Sequence, residues 1–363
     1  MIAKSLSSWN RVAVAGLLAL FAMSASWDQA DAARPAKHAA AGHKGKSKAH
    51  HALHGPNYHP PYAAIVVDDN TAQVLHEENI DEPRHPASLT KIMTLYLLFE
   101  QIDAGKFKLD TPLQISSHAA EQNPTKLGLR ANQTISVEDA IKGMCTKSAN
   151  DAAVVVGEAL GGSEDEFAKL MTEKAKALGM ERTVYVNASG LPAEEQITTA
   201  RDQATLGRAI QDRFPKYYRY FSTLSFRYHG KEMHNHNGLL GQVRGVDGIK
   251  TGYTEASGYN LVANVRRDDR HIIAVVLGGK SGAARTERMR QLIEQQILVA
   301  AVKPAGAPAV MQAEGPEGAP SNATAAPALA SSETSPAAKP SRAGRARISH
   351  RSAPAVRAQR VSW

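Results

Sequence analysis

The sequence predicts an α+β fold: an antiparallel sheet flanked by helices, with a mainly helical subdomain. Three observations carry that expectation. A hairpin pattern opens the apolar body of the chain, a second hairpin pattern nearly closes it, and helical periodicity fills the space between. Strands at both ends of a domain with helices between them favour one sheet closed by the first and last segments.

The first hairpin is Ala63-Ala64-Ile65-Val66-Val67, a turn-like Asp68-Asp69-Asn70, then Ala72-Gln73-Val74-Leu75-His76. β-rich runs around Asp and Asn are the ordinary hairpin signature. A helix is expected next, starting after Pro86, which suits a first helical position. Its run Leu95-Tyr96-Leu97-Leu98-Phe99 is apolar on every side and reads as buried. Ser88 and Lys91 stand three residues apart and share one face of that helix. A buried ammonium is costly unless paired or discharged, so Lys91 already hints at chemistry. Further helices are expected over 136–160, over 163–178 (Glu164, Phe167, Leu170, Met171, Lys174) and over 199–211. The second hairpin joins 259–265 to 271–277 across Arg267-Asp268-Asp269-Arg270, and a last helix runs from about Arg285 to Ala301.

Around this body, 61–302, the composition changes. Residues 1–32 read as an export signal: Lys4 and Arg11, an apolar stretch from Val12 to Met23, then small residues at Ser24–Ser26 and Ala30-Asp31-Ala32. That stretch is short of the roughly 20 apolar residues a spanning helix needs. Residues 33–60 form a disordered linker of Ala, Lys, Gly and His, and 303–363 a disordered Ala/Pro-rich basic tail. The net charge of +8 belongs to these flanks: the body holds 28 basic and 30 acidic residues. A basic face for nucleic acid is therefore not expected, while weak electrostatic contact of the tails with an anionic wall or membrane is compatible with their charge. The single cysteine, Cys145, excludes an internal disulfide and reads as a small core residue. His229, His234 and His236 lack the companion ligands of a metal site, so no metal or cofactor is expected.

Three short stretches could carry chemistry: Ser88-x-x-Lys91, Ser148-Ala149-Asn150 and Lys250-Thr251-Gly252. Alone, each has an ordinary explanation in a surface helix, a helix cap or a turn. In this order they form the three-part signature of active-serine penicillin-recognising enzymes. The sequence resembles the low-molecular-mass penicillin-binding proteins, the serine-type D-alanyl-D-alanine carboxypeptidases (peptidase family S11). The likeness extends over about 60–302, through Asn187-Ala188-Ser189-Gly190-Leu191, Thr198–Asp202, Asn235–Leu240 and Gly258–Ala263.

The resemblance implies a β-lactamase/transpeptidase-like fold, an exported enzyme of the periplasm or cell envelope, peptidoglycan stem peptides as substrate and β-lactams as covalent inhibitors. It makes Ser88 the acyl-enzyme nucleophile, Lys91 its base and Ser148 a proton relay. Asn150 would hold the substrate amide. Lys250 and Thr251 would face the substrate carboxylate, joined by Arg201 and Arg285, although Arg201 reads equally as half of a structural ion pair. Gly252 would keep a strand edge open, and the N–H groups of Ser88 and Tyr253 would form an oxyanion hole. Lys91 must lose its proton near neutrality, which burial and the charge of Lys250 would promote.

Carboxypeptidase is the expected activity. A D,D-endopeptidase cutting cross-links shares the motifs, and a non-catalytic wall-binding protein is the rival from another class. Rapid β-lactam hydrolysis is disfavoured, because 180–190 lacks the Glu-x-x-x-Asn pattern sought for a deacylating glutamate.

Overall fold

The computed structural model describes residues 59–303. The export signal, most of the His-rich linker and the basic tail expected from the sequence lie outside them. Strands β1 (Ala63–Asp68) and β2 (Val74–Glu78) form the first hairpin. Helix α1 (Thr90–Asp103), β3 (Pro112–Gln114), α2 (Ser117–Glu121) and β4 (Thr134–Ser136) follow. Next come α3 (Val137–Thr146), α4 (Asn150–Gly161), α5 (Glu164–Ala177), α6 (Ala200–Arg213) and α7 (Pro215–Tyr218). The chain continues through β5 (Ser225–Tyr228), β6 (Lys231–His234), β7 (Val246–Thr254), β8 (Gly258–Arg267), β9 (Arg270–Gly279) and α8 (Gly282–Gln296).

The main sheet has the order β2-β1-β9-β8-β7, and every pairing is antiparallel. Ala63 opposes Leu277 and Asp68 opposes Ile272, so the first strand does close on the last. Alternation along β9 explains why its run is apolar throughout. Ile273, Val275 and Leu277 enter the cluster built with Leu95, Phe99, Leu206 and Ile210 of the helical side. Ile272, Ala274 and Val276 enter the cluster under Met289, Leu292 and Ile293 of α8. Both faces are covered, so neither set can be polar.

Short polar side chains set where most helices begin. Ser136, Ser163, Thr199 and Ser281 each accept an N–H from the first turn of α3, α5, α6 and α8. The structure departs from the sequence reading in three places. The helix expected over 136–160 is two helices, broken at Lys147–Ala149, where Ser148 takes a φ of 60°. A side chain makes that left-handed region costly, by about 1–3 kcal/mol. Strand β7 gave no alternating pattern because it carries two glycines and alternates poorly. The paired strands β3–β4 and β5–β6, at three and four residues, are too short for a period of two to register.

Candidate active site

The cleft forms where the turn before α1 meets the edge strand β7 and the start of α4. Ser88 lies in a single 3₁₀ turn, Ala87–Leu89, immediately before α1. The expected single helix thus begins with a tighter turn, yet Ser88 and Lys91 still meet: Lys91 Nζ stands 3.1 Å from Ser88 Oγ. Asn260 of β8 fastens the turn by donating to the carbonyls of His85 and Pro86 at 3.0 and 3.2 Å. Two glycines let other segments close on it. A Cβ at Gly252 would come within 3.1 Å of Pro86 O and Ser88 N, and one at Gly190, whose φ is +84°, within 1.9 Å of Ala87 O.

Lys91 is completely buried. Besides Ser88, its Nζ meets Asn150 Oδ1 at 2.8 Å and the carbonyl of Ser189 at 2.5 Å. Each partner is itself fixed. Asn150 donates its Nδ2 to Asn123 O at 2.7 Å, which leaves its oxygen for Lys91. The Ser189 loop folds around Asn187, whose Oδ1 accepts from the N–H groups of Ser189, Gly190 and Leu191. Glu164 holds the same loop through Ala188 N. The Asp151 carboxylate accepts from Leu127, Gly128 and Leu129 and so binds the facing loop to α4.

This arrangement is one that would orient an uncharged amine. Uncharged lysine has two N–H bonds and one lone pair. Asn150 Oδ1 and the Ser189 carbonyl can only accept, so they take both hydrogens and leave the lone pair for the Ser88 hydroxyl. Burial pushes the Lys91 pKa well below the usual lysine value, and the charge of Lys250 pushes the same way; Asp151 and Glu164 oppose them only in part. Lys250 is 2 % exposed and donates to Thr251 O at 3.0 Å. Burial chiefly, and Arg285 further, bring its pKa down to about 8.

A cavity of about 520 Å³ opens over Ser88, lined by Ser148, Asn150, Thr251, Gly252, Tyr253 and Arg285 among others. Lys91 and Lys250 lie behind its wall rather than on it. Neither Ser148 nor Asn150 caps α4, whose N-cap is Ala149 with no side-chain bond. Ser148 Oγ is buried with no hydrogen-bond partner among the described residues. Tyr253 stacks on Tyr259 with ring centroids 4.2 Å apart. Arg285 is 8 % exposed; its Nη1 donates to Asn260 O, its Nη2 to Thr286 Oγ1, and burial lowers its pKa to about 10.

Arg201 is the correction. It does not line the cleft but forms a bidentate pair with Asp81 at 2.8 and 2.9 Å. The first turn of α6 brings it to the chain after β2, so the structural alternative for this residue is the one realised. Sequence reasoning also passed over two contributors. Ser189 acts through its backbone carbonyl, which leaves no side-chain signature. His236, read as an ordinary loop residue, lines the cleft. Desolvation there and the nearby charge of Lys250 lower its pKa although its ring still reaches solvent.

Comparison with known proteins bears on this arrangement. The model of the Peptidase_S11 family, D-alanyl-D-alanine carboxypeptidase, matches residues 51–281. The chain is 37 % identical over 236 residues to D-alanyl-D-alanine carboxypeptidase DacA of Escherichia coli (strain K12), covering 63 % of this chain and 59 % of that protein. It thus spans about three-fifths of the length of that curated relative. The solved D-alanyl-D-alanine carboxypeptidase DacD from Francisella tularensis superposes with a TM-score of 0.62 at 32 % identity, over 64 % of this chain and 69 % of that one. Penicillin-binding protein D2 from Listeria monocytogenes, solved in an ampicillin-bound form, gives 0.57 at 31 % identity, over 64 % and 96 %.

Proposed function

The chain belongs to the D-alanyl-D-alanine carboxypeptidase family, and from that premise we propose that it removes the terminal D-alanine of peptidoglycan pentapeptides through an acyl-enzyme on Ser88. The observation that carries this reading is the fixed environment of Lys91, whose Nζ stands 3.1 Å from Ser88 Oγ while its two other partners, Asn150 Oδ1 and the Ser189 carbonyl, can only accept. Lys91 takes the proton as Ser88 Oγ attacks the penultimate D-alanine carbonyl. The N–H groups of Ser88 and Tyr253 stabilise the oxyanion, at about 3–4 kcal/mol per donor in comparable sites. The C–N bond breaks, and the proton reaches the departing amine through Ser148, whose hydroxyl has no other described partner. Water then hydrolyses the ester and regenerates Ser88. Thr251 and Arg285 receive the terminal carboxylate at the cleft wall, with the Lys250 charge behind it. Asn150 holds Lys91 and also borders the cleft, where it meets the substrate amide. A β-lactam forms the same ester and blocks the site.

The substrate places the enzyme outside the cytoplasm, in keeping with the export signal read at 1–32. Among the described residues no helix is long and apolar enough to cross a membrane. The test is to incubate the full chain with a monomeric muropeptide ending in D-Ala-D-Ala and follow its mass. Loss of one alanine is expected. An unchanged monomer in the presence of folded protein overturns the proposal and favours a wall-binding role.

A further inference from the structure

Ala188 precedes the Ser189 carbonyl that meets Lys91, and it is clamped at both of its backbone polar atoms. Its carbonyl accepts from Thr94 Oγ1 of α1 at 2.6 Å, and its N–H donates to Glu164 Oε1 at 2.9 Å. Its side chain lies so close to α4 that a Cβ at Gly157 would come within 3.1 Å of it. Helices α1, α4 and α5 therefore converge on one residue, and the next carbonyl along the chain stands 2.5 Å from the base.

Of these three holds, the one from α5 is ionic and continues to the surface. Glu164 opens α5, where a helix N-terminus favours a carboxylate. Yet its oxygens do not serve that helix, whose cap is the Ser163 side chain accepting Glu166 N. Glu164 Oε1 takes Ala188 N, and Oε2 meets His118 Nε2 at 2.7 Å. The His118 side chain is 56 % exposed and that of Glu164 13 %. With both oxygens engaged, the carboxylate grips the loop and does not swing toward the Lys91 amine. His118 is placed in turn by α2, whose capping residue Ser116 accepts Ala119 N and donates to Glu158 of α4 at 2.8 Å. An ordinary exposed ion pair contributes little. Helix α5 carries one for comparison, Lys169 with Glu166 at 2.6 Å, whose side chains bond only each other among the described residues.

We infer that His118 and Glu164 are positioning residues for the reaction: the pair aims one carboxylate oxygen at Ala188 and so holds the Ser189 carbonyl against Lys91 Nζ. Charge follows from the same geometry. The Glu164 carboxylate favours the protonated form of Lys91, as does Asp151 of α4, against burial and Lys250 of β7. His118 faces Glu164, Glu158 and Glu121, and its bond to Glu164 raises its pKa. Protonated on the acid side, it offsets the Glu164 charge. Removing the histidine therefore raises the Lys91 pKa, and removing the Glu164 charge lowers it.

The inference rests on the reading of Ser88 and Lys91 given above, and its test separates the two. The full chain, the variants His118→Ala, Glu164→Ala and Glu164→Gln, and Lys169→Gln as control are compared in two ways: kcat and KM for the D-Ala-D-Ala monomer, and the pH profile of penicillin acylation. Glu164→Ala is expected to lower kcat about tenfold, the loss of one charge-assisted contact, with KM within twofold. Glu164→Gln keeps an acceptor for Ala188 and should recover most of that rate, while the acid limb of acylation moves to lower pH by roughly half a unit. In His118→Ala the limb should move the opposite way, and in Lys169→Gln neither rate nor limb should change. His118 is exposed, so its variant reports even if Glu164→Ala does not fold. Limbs that stay in place, or that move the same way in His118→Ala and Glu164→Gln, overturn the positioning role while leaving the carboxypeptidase standing. An unaltered chain that neither acylates nor trims the monomer overturns the reading beneath it.

Discussion

The two ends of the main sheet bury cations in opposite ways. At the end near β2's turn, Asp69 is 5 % exposed in its side chain and lies 2.5 Å from Arg208 Nε and 2.8 Å from His271 Nδ1. His271 Nε2 in turn meets Asn264 Oδ1, and Asn264 donates to Asp247, which also accepts from Tyr218. Burial alone would raise the Asp69 pKa; its bonds and charge interactions with His271 and Arg208 outweigh that and leave it below the usual carboxylate value. At the cleft end, Lys91, Lys250 and Arg285 are buried with carbonyl, amide and hydroxyl partners and no carboxylate at ion-pair distance among the described residues. A paired buried charge holds structure together. An unpaired one is costly, discharges readily and is free to meet a substrate.

The sharpest way to break this contrast is at the serine. Ser88→Ala is expected to abolish covalent penicillin labelling, read by intact-protein mass, with an unchanged circular dichroism spectrum; surviving label would remove Ser88 as nucleophile. Lys91→Met comes next. Loss of the base should slow acylation by about 10²–10⁴-fold, while thermal unfolding should move down only modestly, because the change removes a buried amine but leaves Asn150 Oδ1 and the Ser189 carbonyl without their donor. A large drop in stability would show that Lys91 belongs with the paired charges.

At the other end the expectation reverses. Asp69→Asn takes the carboxylate away from Arg208 and should cost about 3–5 kcal/mol by denaturant unfolding, with activity per folded molecule within twofold. Because the folded pKa of Asp69 lies below its unfolded value, its contribution is fully present above the usual carboxylate range and is lost as pH falls through the folded value. The smallest effect concerns Lys250, whose charge fades as pH rises through about 8. Over that interval KM for the monomer should rise several-fold while penicillin acylation of saturated enzyme changes little. A flat KM would take Lys250 out of carboxylate binding.

Much of this was legible in advance, for reasons that differ by residue. The two hairpins announced themselves through β-branched runs around Asp and Asn, and the buried α1 through an apolar run with no polar face. The three motifs converge in space: Ser88 and Lys91 across one turn, Asn150 onto Lys91, and Thr251 and Gly252 beside Ser88. The break at Ser148 was illegible, because it depends on a left-handed φ that no propensity marks in serine. Strand β7 was hidden by the very glycine that lets it approach Ser88. The Ser189 carbonyl was invisible because every residue has one. Arg201 was ambiguous until its neighbour Asp81, 120 positions away in sequence, was known.

Burial without a carboxylate partner is what should leave Lys91 discharged near neutrality. The most direct test is the pH dependence of the second-order rate of penicillin acylation of the full chain. The rate should already stand on its plateau near neutrality and fall on the acid side along a one-proton curve, with that limb moving to higher pH in Lys250→Ala, where a repelling charge is gone. A rate that climbs steadily from neutrality to about pH 10, the range of an ordinary lysine, would contradict it.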